Sequence, residues 1–195
     1  ENTAATVAGY QYYEPENGKR VTGWRTIEGV EGISQEGELY NFYFKNGKPY
    51  HAESGLQLFT VESKKYAFNT KGEMQTGLKV VNLEDGEIAN FYFAEDGVMR
   101  TGKQVIYNED LDENQTWFFY TDGSRKGQGF HGIRDNTLYE YGLRKDADSD
   151  LRLAPMAYDG NQYLVNTSGS IQKASSSSKS AAKPELGNGF KDYKD

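Results

Sequence analysis

The chain is 195 residues long, 36% hydrophobic and 14% aromatic, with 15 Tyr, 10 Phe, 22 Gly, no Cys and a formal net charge of -7 at pH 7. The lack of cysteine excludes disulfides, thiolate metal sites and a Cys nucleophile. The acidic balance argues against nucleic acid and anionic membranes as partners, and no run of 18 apolar residues is present to insert into a bilayer.

Apolar mass held in rings and interspersed with glycine is the composition of many short strands joined by tight turns. In chain order, residues 1–9 form a lead-in that lacks the pattern of a signal sequence, and composition alone fits either a cytoplasmic protein or a processed or partial secreted one. A repeating unit then begins. YQYYEPENGKRVTG (10–23), NFYFKNGKPY (41–50), KYAFNTKGEMQTG (65–77) and NFYFAEDGVMRTG (90–102) carry it plainly. TWFFYTDGSRKG (116–127) and QYLVNTSGSIQK (162–173) continue it more weakly. The turn glycines Gly18, Gly47, Gly72, Gly97 and Gly123 are 29, 25, 25 and 26 residues apart. Gly169 follows 46 later, which leaves room for a divergent copy around LYEYGLRKDADSD (138–150). The expected organisation is five repeats over 10–130, two divergent repeats over 131–173, and a Ser/Ala/Lys/Gly-rich linker and tail over 174–195 that implies further protein beyond it.

Within each unit an aromatic strand runs into a polar residue and Gly, then a short polar strand, which is the sequence of a β-hairpin whose Gly supplies positive φ. A lone hairpin is marginal in water, so the units must stack to bury their rings. Side chains alternate along a strand. The first and third residues of each triplet, Phe42/Phe44, Tyr66/Phe68, Phe91/Phe93, Trp117/Phe119 and Tyr163/Val165, therefore form the predicted core face. The middle residues Tyr13, Tyr43, Ala67, Tyr92, Phe118 and Leu164 form the outward or inter-repeat face.

The unit YAFNTKGEMQTG, together with VTGW at 21–24, resembles the cell-wall-binding repeats of Gram-positive surface proteins, the choline-binding-like and glucan-binding family. The resemblance covers 10–130 well and 131–173 loosely. It implies an all-β, solenoid-like array of stacked β-hairpin repeats, no catalysis, and a secreted protein of the cell wall or cell surface. In choline-binding members of that family a cage of rings holds a quaternary ammonium: the Trp after Thr-Gly, an aromatic just before the triplet, and a ring from the next unit. Here only Trp24 keeps the first place; Leu56, Leu78, Lys103 and Phe130 stand in the others. The outer ring is replaced by Asn41, Lys65, Asn90 and Thr116, so at most a partial cage of Trp24 with Tyr43 is expected, and choline binding is not. The expected partner is a cell-wall polysaccharide or other glycan stacking on exposed Trp24, Tyr43 and Tyr92, with no cofactor. The alternative is a spacer or adhesin stalk.

Catalytic and metal readings find little support. The histidines His51 and His131 lie in different units as exposed loop residues without a nucleophile or second ligand at useful spacing. DADSD (146–150) imitates the start of an EF-hand loop, but Leu151 and Ala157 stand where Gly and Glu are needed, so no metal site is expected. NQT at 114 and NTS at 166 match the glycosylation sequon and are expected to be idle.

Overall fold

Each aromatic triplet begins or ends a hairpin, and the backbone follows from the turn chemistry beside it. The computed structural model describes residues 11–29, 35, 37–151 and 153–172; the lead-in at 1–9 and the linker at 174–195 lie outside them. Among the described residues the secondary structure is entirely strands, bridges and turns. Two units divide the chain, 1–100 and 101–195.

The first unit holds β1 (Gly23–Glu28), β2 (Leu39–Lys45), β3 (Lys48–Pro49), β4 (Leu56–Val61), β5 (Lys64–Asn69), β6 (Gly77–Asn82), β7 (Ile88–Phe93) and β8 (Met99–Arg100). They form the sheets β1-β2-β3, β4-β5 and β6-β7-β8. All predicted turn glycines have positive φ, from 65° at Gly18 to 85° at Gly72, a conformation that glycine adopts without steric cost. The Asn before such a turn closes it: Asn69 Oδ1 accepts the N–H groups of Lys71 and Glu73 at 3.0 and 2.9 Å. Asn166 repeats this with Ser168 and Ser170, both at 2.9 Å, so the divergent NTSGS keeps the geometry of NTKGE.

The longest pairings differ from those expected. The residues after Thr-Gly form full strands that pair with the next unit's aromatic strand, Gly77 opposite Phe93 through Asn82 opposite Ile88, and Gly23 opposite Phe44 through Glu28 opposite Leu39. From the sequence, no strand is expected in these segments, which lie between the repeating units. KQVIYN alternates in burial, and Val81 of LKVVN is fully buried.

The predicted core face is buried at Phe42, Phe44, Tyr66, Phe68, Phe91, Phe93, Trp117 and Phe119, whereas Tyr163 is only half-buried. The middle positions are not uniformly outward. Tyr13 is exposed, but Ala67, Phe118 and Leu164 are buried. Ala67 explains why: hairpin β4–β5 is covered on both faces. Phe59, Tyr66 and Phe68 lie on one, with Tyr43 and Tyr50 packed against that cluster. Leu56, Leu58 and Ala67 lie on the other, against Val81, Phe91 and Phe93. A middle residue that faces the next hairpin must be small or apolar.

The second unit holds β9 (Gly102–Asn108), β10 (Glu113–Phe119), β11 (Gly132–Arg134), β12 (Thr137–Glu140), β13 (Leu143–Arg144), β14 (Leu153–Tyr158) and β15 (Asn161–Asn166). Five strands run in the order β11-β12-β13-β10-β9, and β14 pairs with β15. The divergent copy LYEYG thus joins the sheet as β12 and the turn into β13, with Trp117 opposite Leu143. Leu138, Leu164, Val165 and Ile171 form its core.

Candidate functional site

Trp24 follows the positive-φ Gly23 and stands on β1 opposite Tyr43 on β2. The two rings lie 5.3 Å apart, edge to face. The predicted pair therefore forms, but Tyr43 backs the indole, packing on Tyr50 at 5.1 Å. The ring that completes the site comes from the next hairpin. Tyr66 lies 4.8 Å from Trp24 at 62°, with Phe68 stacked beyond at 6.0 Å.

Trp24 and Tyr66 form two walls of a cavity of about 270 Å³, completed by Asn41, Met74 and Asp96. Trp24 remains 37% exposed, so its ring is accessible. The polar wall is held in place. Asn41 Oδ1 accepts the Thr26 hydroxyl at 2.6 Å, and the Asn41 carbonyl accepts the Met74 N–H at 2.9 Å. Met74 is pressed against the turn that carries Asp96: a Cβ on Gly97 would lie 2.3 Å from the Met74 sulfur. Asp96 itself accepts the Val98 N–H at 3.0 Å, fixing its carboxylate at the rim.

Burial pushes the Tyr66 phenol above its ordinary pKa, and the negative charges of Asp96 and Glu62 push in the same direction. The recess is thus an aromatic and thioether corner in a negative field, suited to a polarised C–H face or an organic cation. Tyr92 takes no part in this lining; it is half-buried on β7, opposite Leu78 and Arg100.

Tyr66, Met74 and Asp96 were not among the residues expected to bind a ligand. Tyr66 reads as core, which it also is, and Met74 and Asp96 flank two different turn glycines. The recess is therefore more complete than the partial cage expected from Trp24 and Tyr43. Asn41, read as the loss of an outer ring, is one of its walls.

The other candidates resolve into local structure. His51 is half-buried rather than exposed, with Nδ1 3.0 Å from the Ala52 carbonyl. His131 is exposed and its Nδ1 accepts the Tyr141 N–H at 3.1 Å. Asp146 of the DADSD turn is gripped by Arg144 through two bonds of 2.6 and 2.9 Å, which raises the guanidinium pKa and occupies the first carboxylate of the imitated loop. Asn166 uses its side-chain oxygen to close its own turn.

No family model matches the sequence, and no curated protein matches it. Solved structures do match. CbpF in complex with ipratropium aligns over 89% of this chain and 52% of its own, with 17% identity and a TM-score of 0.53. Choline binding protein F from Streptococcus pneumoniae, in the presence of a peptidoglycan analogue, aligns over 88% and 72% with 16% identity and a TM-score of 0.42. An alternansucrase in complex with isomaltononaose aligns over 84% of this chain and 13% of its own, with 18% identity and a TM-score of 0.39. The chain spans about half the length of the first of these proteins. That first match defines the class, an all-β protein of stacked β-hairpin repeats. More particularly, its fold is similar to that of CbpF.

Proposed function

We propose that this chain is a non-catalytic binding module of a secreted protein, holding it to the cell wall or cell surface by recognising a wall polysaccharide or other surface glycan. Its repeats over 10–130 and 131–173 carry the binding. The observation that carries this reading is the accessible Trp24 ring in a recess with a polar rim. A pyranose can lay its C–H face on the indole while Asn41 and Asp96 take its hydroxyls. Tyr43 supports the indole from behind, and Tyr92 offers a second stacking ring outside the recess.

Retention on purified wall polysaccharide tests the proposal. Trp24→Ala should lower retention by about tenfold or more, the equivalent of about 1.4 kcal/mol. Undiminished retention of that variant would overturn the assignment of the recess.

Asp96 favours a second reading, in which the group bound is a quaternary amine carried by the polymer. Two ring faces at about 0.5–2 kcal/mol each, plus a carboxylate, could hold such a cation. Titrating tetramethylammonium while following Trp24 fluorescence separates the two readings. A saturable response that Asp96→Asn weakens supports the cation, whereas retention on neutral glycan without that response supports the sugar. Silence in both assays leaves the chain as a spacer or stalk.

A further inference from the structure

Two-residue hairpin turns in this chain place Asn46-Gly47, Glu62-Ser63, Asp135-Asn136 and Asp159-Gly160 at the centre, every residue with positive φ. That is the pattern of turns that match strand twist, and it favours Gly and short polar residues. The turn between β12 and β13 is Tyr141-Gly142, with φ of 49° and 108°. Tyr141 is the one aromatic with positive φ among the described residues. A large ring is an unfavourable choice for left-handed backbone, and burial does not compensate for it, because Tyr141 is 63% exposed.

The surroundings hold it there. The Tyr141 N–H donates to His131 Nδ1 at 3.1 Å, which leaves Nε2 as the ring nitrogen able to donate. The His131 and Tyr141 rings stack at 4.2 Å and 20°, and Tyr158 closes on His131 at 5.2 Å. Gly129 passes so close that a Cβ there would lie 2.1 Å from the Tyr141 carbonyl oxygen. A strained, exposed ring fixed from several sides is the arrangement found at ligand clamps.

We propose that His131, Tyr141 and Tyr158 form a second binding site, a stacking platform for a neutral pyranose ring. The negative π face of Tyr141 meets the sugar's C–H face, and His131 Nε2–H and the Tyr158 hydroxyl meet its oxygens. The platform rests on the reading of the chain as a glycan-binding module, but it uses residues of the second unit only.

The test uses the full chain and four neutral probes, cellotetraose, maltotetraose, isomaltotetraose and chitotetraose, followed by NMR at the His131 and Tyr141 rings and by calorimetry. At least one probe should perturb both rings. Tyr141→Asn and His131→Ala should each weaken that binding by about tenfold or more. Tyr141→Asn should also raise Tm, because Asn suits the turn better than Tyr. No perturbation from any probe would overturn the platform, even where Trp24→Ala still abolishes wall retention and upholds the first site. A Tyr141→Asn variant with lowered Tm and unchanged affinity would overturn it too, since the ring would then be structural.

Discussion

Hairpins β4–β5 and β9–β10 are built from the same unit yet bury different amounts of themselves. The first is covered on both faces, with Tyr66 and Phe68 on one and a fully buried Ala67 on the other. The second buries Trp117 and Phe119 on one face, but on the other it buries Phe118 and leaves Val105 at 61% and Tyr107 at 54% exposure. The repeat therefore specifies one buried face everywhere, and the second face depends on what is packed against it. The variable middle position records that difference: a methyl at Ala67 beneath Phe91 and Phe93, a ring at Phe118 against Phe130 and Tyr139.

The sharpest way to break this comparison is on the shared face. Phe68→Ala and Phe119→Ala remove rings of 0% exposure and should each cost about 3–5 kcal/mol, whereas Val105→Thr, on the exposed face, should stay within about 0.5 kcal/mol. Urea unfolding followed at Trp24 for the first unit and Trp117 for the second would read each loss. Comparable losses from Val105→Thr and Phe119→Ala would mean that the second face of β9–β10 is covered at Val105 after all.

Ala67→Leu asks the converse question. The added side chain must enter a space already filled by Val81, Phe91 and Phe93, and overpacking of this kind costs about 1–3 kcal/mol. A neutral Ala67→Leu would show that the second face of β4–β5 is loosely packed, and the distinction between the hairpins would weaken.

These differences also show what was legible from the sequence alone. The turn glycines and the first and third triplet positions could be read because each depends on rules local to one unit: positive φ and strand alternation. The strands after Thr-Gly were missed because their partners are in the following unit, and because half of each faces water, as Lys79 and Lys103 suggest. The recess was only half legible for the same reason. Trp24 and Asn41 come from one hairpin, Tyr66 and Met74 from the next, and Asp96 from the turn after that. No single repeat displays the whole set, so the replacement of an outer ring by Asn41 read as a loss, although its side chain still lines the site.

A smaller effect is expected at the glycines. Gly86 and Gly97 both have positive φ, 84° and 83°, but only Gly97 has a neighbour, Met74, in the space a Cβ would take. Gly86→Ala should cost about 1 kcal/mol for backbone strain alone. Gly97→Ala should cost more and should also weaken ligand retention, because it displaces Met74 from the wall of the recess. Equal costs with unchanged retention would detach Met74 from the site.

The smallest effect expected is at alkaline pH, and it again sets the two units apart. Burial raises the phenol pKa of both Tyr66 and Tyr139 above the ordinary value of 10.0. Around Tyr66 the neighbouring charges, Asp96 and Glu62, add to the rise, whereas around Tyr139 Arg144 and Arg134 oppose it and Asp135 and Asp146 add to it. A group whose pKa is raised on folding contributes stability that is fully present below the unfolded pKa and is lost as pH climbs through the folded one. Both units should therefore weaken from about pH 10 upward, in part through Tyr66 in the first and Tyr139 in the second. Tyr66→Phe should flatten the alkaline fall seen by Trp24 fluorescence, and Tyr139→Phe the fall seen by Trp117. If Asp96 is the rim charge of the recess, Asp96→Asn should reduce the Tyr66 effect without removing it, because burial, the larger cause, remains. An alkaline profile that Asp96→Asn leaves unchanged would separate the carboxylate from the Tyr66 ring, and with it from the cation reading of the site.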